Sequence, residues 1–450
     1  VRARYLILPL LALIVVVGVQ LSNSGAGRST PTSPVLSAGD TADLLPQTDI
    51  SSLGTVDTSD IDRRIEFWRA RADVHAQSEN EWIVLGDLFD LKGRMTGDVA
   101  QYVAAQQAYQ TAIGIAAHSS AAHSGSARVM ATLHDFNGAL SESTTVYQLD
   151  PNALGALGVM FDSSVELGHL EQAQSALAIL QARSDSPAIP TREARLDFLR
   201  GDTASAARLA ESATSEAADS GDLASSLAFY NYTAAEYELL AGNLDAAQSD
   251  YQSALALLPG YPIAIYGEGR IAYARGDMTT AIADLKAATA ALPRPDMLAF
   301  LGDLYALSGD GADASEQYAT VDFIAGMTTT SGAGHVYDRE YGLFLSDHGR
   351  NVAHALDLAQ NEIAIRQDIY GYDALAWALH ANGRDAEALN ASNTALSLGT
   401  VDPKLLLHAG LIELANGLTT QGQAHLQQAL ALNPTISPAL VAAARTALAQ

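Results

Sequence analysis

Cysteine is absent from the 450 residues. Disulfides, thiolate zinc sites, thiol catalysis and a lipidated-cysteine anchor are therefore excluded. Aromatic residues reach only 6% while hydrophobic residues reach 48%, so a core must be built mainly from alanine and leucine. Both are good helix formers without β-branching, which favours packed helices over sheets. Basic residues are also scarce: 25 Lys and Arg stand against 51 Asp and Glu, a net charge of −26. Such a chain repels phosphate backbones, which argues against a nucleic-acid partner. The patterns GxxxxGK[ST], HExxH and GxSxG are all missing.

What is present begins with an apolar run, VRARYLILPLLALIVVVGVQLSNSGAG. Arg2 and Arg4 precede an uncharged stretch from Tyr5 to Leu21, the form of an export signal. As a helix this stretch would span roughly 25 Å, near the short limit for a bilayer. Cleavage at Ser24-Gly25-Ala26 and retention as a signal anchor are both open; the length of the run favours the anchor. The basic flank would then stay in the cytoplasm and the remainder outside. Residues 22–60 are rich in Ser, Thr, Pro, Gly and Asp and show no periodicity, which predicts a disordered spacer. The expected organisation is 1–21 signal or anchor, 22–60 linker, 61–434 repeat array and 435–450 capping helix.

Helix-stop signals recur at even intervals: His134, Gly168, Gly201, Gly242, Gly276, Gly309, Gly349, Gly383 and Gly417. The intervals are 34, 33, 41, 34, 33, 40, 34 and 34 residues. A period near 34 marks stacked helical hairpins. In the unit LLAGNLDAAQSDYQSALALLPGYP, Gly242 caps the first helix, and Ala247, Tyr251 and Ala254 share one face of the second. Pro259 then ends that helix. The same grammar recurs in Gly276, Ala281, Leu285, Ala288, Pro293; in Leu301-Gly302, Tyr305, Gly309, Ala314, Tyr318; in Gly383, Ala388, Ser392, Ala395; and in Gly417, Gly422, Leu426, Ala429, Pro434.

These residues, with Trp82, Leu85-Gly86 and Phe89 at the start, resemble the tetratricopeptide repeat family over residues 79–434. Unit 189–222 departs from the pattern, and LKGRMTGDVAQ is extra sequence in the first unit. The segment from Gly371 to Gly417 looks like part of long exported bacterial repeat proteins with no defined activity. The resemblance implies an all-α, right-handed α-solenoid of about ten hairpins with first helices lining the concave face. It implies protein or peptide binding there, and no cofactor.

No catalytic or metal constellation emerges. GEGRIA (Gly267–Ala272) matches a dinucleotide pattern, but lies inside a first helix where Gly269 serves close packing. The eleven His are scattered. Asp277, Asp310 and Asp402 stand at helix starts, as caps. The 34-residue phase places Phe229, Tyr232, Glu236, Tyr266, Arg270, Tyr273, Phe300, Asp303, Arg339, Glu340, Tyr370, Trp377, His380 and His408 on the concave stripe. Aromatics and Arg are common anchors of recognition. The stripe has few Lys, unlike the family's carboxylate clamps, and its aromatic–acidic character suits a basic or neutral segment. The expectation is a non-enzymatic scaffold, extracytoplasmic and membrane-tethered or secreted. The alternatives are a self-assembling spacer and a metal-handling or enzyme accessory factor.

Overall fold

The computed structural model describes residues 59–96, 99–220, 224–330 and 336–449. The expected signal or anchor and nearly all of the expected linker lie outside these residues. The described residues form 22 α-helices and no strands. A leading helix, α1 (Ser59–Val74), packs through Ile61, Ile65 and Ala72. Residues 61–74 fell inside the expected array, although no repeat motif marked this helix, and Ser59 and Asp60 fell in the expected linker.

Ten hairpins follow. The first five are α2–α3 (Glu79–Thr96, Val99–Ile115), α4–α5 (Ser120–Thr132, Phe136–Leu149), α6–α7 (Leu154–Glu166, Leu170–Arg183), α8–α9 (Ala188–Leu199, Thr203–Ser220) and α10–α11 (Ala224–Leu240, Leu244–Leu257). The rest are α12–α13 (Pro262–Ala274, Met278–Ala291), α14–α15 (Pro295–Leu307, Gly311–Thr330), α16–α17 (Asp338–Asp347, Val352–Ile365), α18–α19 (Ile369–Ala381, Asp385–Ala395) and α20–α21 (Pro403–Ala415, Thr419–Leu432). The last helix, α22 (Pro438–Leu448), covers the end of the array through Leu440, Val441 and Ala444.

Local chemistry explains the punctuation. All nine stop residues have positive φ, the left-handed conformation in which a helix end reverses and satisfies its last carbonyls. Eight are glycine; the ninth, His134, holds φ 61°. Asp277, Asp310 and Asp402 accept hydrogen bonds from amides of the helices that follow, offsetting orphan N–H groups. The longer intervals are absorbed as helix: α9 has 18 residues, α10 has 17 and α15 has 20. Most of the extra sequence in the first unit likewise extends α2 and α3.

Packing within a unit follows small-against-large complementarity. A buried alanine lies in the first two turns of the second helix of nine successive hairpins: Ala105, Ala139, Ala173, Ala206, Ala247, Ala281, Ala314, Ala355 and Ala388. Gly302 lies under the Tyr318 ring, and Gly269 and Gly410 lie under Leu285 and Leu426. Each pair is 16 residues apart, so one first-helix position repeatedly receives one second-helix side chain. GEGRIA is therefore a packing surface inside α12, with Gly267 against the Tyr251 ring of the preceding hairpin.

The array also coils back onto itself. The hairpin turn at Gly168 meets the Gln367–Asp368 backbone, the turn at Gly201 meets Gly399, and the turn at Gly242 meets Leu432. Three successive turns thus rest on three successive loops, five to six hairpins further along. Hydrogen bonds sew this seam: the Thr400 hydroxyl donates to the Leu199 carbonyl, and the Asn433 amide donates to the Leu239 carbonyl at 3.2 Å. Arg366 reaches Glu166 at 3.4 Å across the same boundary. No periodicity in the sequence announces these contacts.

Candidate binding cavity

The coil borders an open cavity of about 710 Å³. Its wall comes chiefly from the first helices α4, α6, α8 and α10, bounded from the next superhelical turn by Arg294, Val336, Tyr337, Arg339, Glu340, Arg366 and Tyr370. Among the described residues, no helix is long and apolar enough to cross a membrane, and no group of three His, Asp or Glu is placed to hold a metal ion.

Of the fourteen concave-stripe residues, Phe229, Tyr232, Glu236, Arg339, Glu340 and Tyr370 line this cavity. The others are engaged between helices. Phe300 is buried and takes Tyr266 and Tyr273 edge-on, with ring centroids 6.0 and 5.9 Å away. Arg270 bonds Glu236 and the Tyr251 hydroxyl and lies over Tyr266. Trp377 is buried, stacked between His380 and His408. His408 has no exposed surface and bonds Asp373. Asp303 receives the Tyr318 hydroxyl and the His348 ring. Phe300, Trp377 and His408 are therefore packing residues, placed there because neighbouring first helices approach too closely to leave them free.

Glu236, Arg270, Asp303, Trp377 and His408 of the stripe join neighbouring polar residues in a ladder between units. Asp90 takes Arg128 at 2.9 Å, Asp162 takes Arg192 at 2.7 Å, and Glu236 takes Arg270. Asp303 takes His348 at 2.7 Å, Asp347 takes Trp377 at 2.8 Å, and Asp373 takes His408 at 2.9 Å. In each rung an acid of one hairpin holds a donor of the next, satisfying side chains that are mostly out of water.

The cavity wall carries residues that the stripe did not name: Arg128, Arg192, Arg195, Arg294 and Arg366, with Asp162, Glu166 and His134. Continuing the repeat phase upstream of Phe229 leads from Glu236 to Arg195, Asp162 and Arg128, so part of this set was legible. Arg294 and Arg366 lie on loops, outside any helical phase, and only the coil brings them inward. A belt of alternating charge crosses the seam here: Arg195, Glu166, Arg366, Glu362, Arg339 and Asp368. Burial drives the His134 ring toward neutrality, and Arg366, Arg339 and Arg294 reinforce it, leaving its pKa at about 3. Burial also raises the Glu340 carboxyl, partly offset by a backbone hydrogen bond and by Arg339.

The repeated small-against-large register and the left-handed turn in nine of the ten hairpins decide the architecture. The fold is an array of helical hairpins like those of tetratricopeptide repeats. No family profile matches the sequence, and no curated protein matches it. Among solved structures, the array is similar to yeast Tom70 at 12% identity, covering 84% of this chain and 96% of that one, with a TM-score of 0.31. It is similar to a tetratricopeptide repeat protein from Parabacteroides merdae at 15% identity, covering 59% and 98%, with a TM-score of 0.32. It is also similar to the Cut9–Hcn1 hetero-tetramer of the APC/C at 14% identity, covering 86% and 93%, with a TM-score of 0.30.

Proposed function

We propose that this repeat array is a non-enzymatic scaffold that binds a segment of a protein partner in its central cavity. The observation that carries the reading is the cavity itself. Side chains from hairpins on two superhelical turns converge on about 710 Å³, within the range of roughly 300–1,000 Å³ of ligand pockets. The wall offers aromatic faces at Phe229, Tyr232 and Tyr370 beside guanidinium groups, the combination that concentrates binding energy at interfaces. Ten stacked units make a rigid display surface, so little ordering cost falls on the scaffold.

The test is Val159→Trp, which fills the cavity from α6 at a half-buried position. Partner recovered by crosslinking from the native host should fall at least about tenfold, a loss of roughly 1.4 kcal/mol in binding, with helicity unchanged. Undiminished recovery would sink the cavity as the docking place. The basic–apolar N-terminal run supports placing the scaffold outside the cytoplasm, tethered or secreted. Mass analysis of the mature N-terminus distinguishes the two fates, and recovery of the intact chain from the soluble cytoplasm would refute both.

A further inference from the structure

A stacked array ends where the stacking stops, and each end must present a polar face or be covered. At the C-terminal end, the residues that α22 turns to solvent include Ala442, Ala443, Arg445 and Thr446, all small or polar. At the N-terminal end, α1 exposes Phe67, Ala70 and Val74. Val74 is 77% exposed and Phe67 58%. These three stand at i, i+3 and i+7, on the side of the helix away from Ile61, Ile65 and Ala72, which pack into the array.

The spacing is that of a coiled-coil seam. With Phe67 and Val74 at a, Ala70 falls at d, Arg64 and Arg71 at e, and Glu66 and Asp73 at g. The seam thus has one basic flank and one acidic flank. Glu66 and Asp73 are exposed, and their side chains make no hydrogen bond or ion pair with a described residue. Arg71 bonds Glu81 at 3.1 Å through one terminal nitrogen and stays exposed, with further N–H donors on its guanidinium. That guanidinium lies 6.0 Å from the Phe67 ring centre, at the border of the seam. In the first turn, Asp60 and Arg63 hold each other at 2.9 Å, so the turn adds no net charge.

A second copy of α1 complements this seam in one orientation. Parallel and in register, Phe67, Ala70 and Val74 each face the same residue of the second copy. Glu66 at g then faces Arg71 at e of the other helix, twice over, which is the usual cross-pair of a parallel coiled coil. Antiparallel, Glu66 would face Asp73 and Arg64 would face Arg71, so like charges would oppose each other on both flanks. Val74 would also lie on the charged Arg63. Two heptads bury less than the roughly 800 Å² per partner of a standard interface, so the association is reversible.

We propose that α1 is a homodimerisation helix, on which a second copy of this chain docks in parallel register through Phe67, Ala70 and Val74. The two Ser59 ends then lie together, and the two arrays extend to opposite sides of the helix pair. No residue of α1 lines the cavity, so the proposal stands apart from the scaffold reading.

The experiment is sedimentation velocity on the full chain in mild detergent, up to about 100 μM, with far-UV circular dichroism as the check on folding. The wild type should pass from monomer to dimer across this range. Phe67→Glu, a change on the exposed face, should weaken the dimer at least about tenfold with helicity unchanged. Glu66→Lys sets Lys against Arg71 of the parallel partner and should weaken it by about threefold or more. In an antiparallel pair, the same change would relieve the repulsion from Asp73 and tighten it. Because the chain has no cysteine, Val74→Cys introduces a single thiol for crosslinking with copper–phenanthroline as oxidant. A parallel pair brings the two thiols together and yields a disulfide-linked dimer, whereas an antiparallel pair holds them about 16 Å apart along the axis. A monomer at every concentration would overturn the proposal and leave the face to another protein or to chain upstream of Ser59. A dimer indifferent to Phe67→Glu, a dimer tightened by Glu66→Lys, or no crosslink through Val74→Cys would overturn it as well.

Discussion

At the residue scale, the buried network around Trp377 links protonation to stability. His408 bonds Asp373 at 2.9 Å, with Nε2 facing Asp347 at 3.7 Å, and Lys404 reaches Asp347 at 3.2 Å. Burial opposes the imidazolium charge, but Asp373 and Asp347 outweigh it, so the His408 pKa rises from the usual 6.5. Asp347 moves the other way: burial opposes its charge, and Lys404, then His408, hold its carboxyl far below the usual range. A raised histidine contributes stability that is complete below the unfolded value of 6.5 and is lost as pH rises through the folded value. A depressed aspartate contributes above its unfolded value of about 3.8, and that contribution is lost as pH falls through the folded one. His348, raised by a hydrogen bond and charge from Asp303 that outweigh its burial, acts in the same sense as His408. His408 and His348 therefore favour a higher melting temperature near pH 6 than near pH 8, His134 with its depressed pKa opposes them, and His408→Asn should shift the slope toward greater relative stability at the higher pH. A slope identical in the variant would show that the network does not titrate in this range.

At the element scale, the hairpin turns do two jobs that substitution can separate. Gly201 and Gly276 have almost the same backbone, φ 85° and 83°. A Cβ on Gly276 would meet nothing, whereas one on Gly201 would lie 2.3 Å from the Gly399 carbonyl oxygen. Gly276→Ala should cost only the left-handed penalty of about 1–2 kcal/mol. Gly201→Ala carries the same penalty and must also force the seam apart. Its urea midpoint should fall further, and its radius of gyration from small-angle scattering should increase. Equal midpoints and equal radii would mean that the seam contributes nothing.

At the scale of the whole molecule, the seam also builds the cavity, because Glu166 and Arg366 belong both to the seam and to the wall. An isolated solenoid stacks only on its neighbours; here hairpins far apart in sequence share hydrogen bonds as well. Thr400→Val with Asn433→Ala removes two of these bonds, each worth about 0.5–1.5 kcal/mol. Amide exchange should quicken in the turns near Leu199 and Leu239, while α2, at the far end of the array from these bonds, stays protected. Uniform quickening along the array would instead indicate a single cooperative unit without a separable seam.

Much of this was legible in the sequence because it is local. A left-handed turn favours glycine, so Gly168 through Gly417 punctuate the chain in plain view, with His134 the exception. Close helix approach needs alanine at one position, so Ala247, Ala281 and Ala388 recur in phase. The concave stripe was legible as a set of positions but not as a set of free side chains. Glu236 and Arg270 are one repeat apart, and the same spacing that placed them on one face brings them close enough to bond each other. Arg294 and Arg366 were not legible at all, since loop residues carry no helical phase.

The sequence by itself determined the hairpin, its period, its caps and its small-against-large packing, because these depend on contacts within about one repeat. Only the tertiary structure decided that the array closes after five to six hairpins. That closure depends on the small rotation between successive units, which accumulates along the chain and leaves no signature in any one of them. It is this accumulated rotation that sets Gly201 against Gly399, brings Arg366 to Glu166, and turns an open concave face into an arginine-lined cavity.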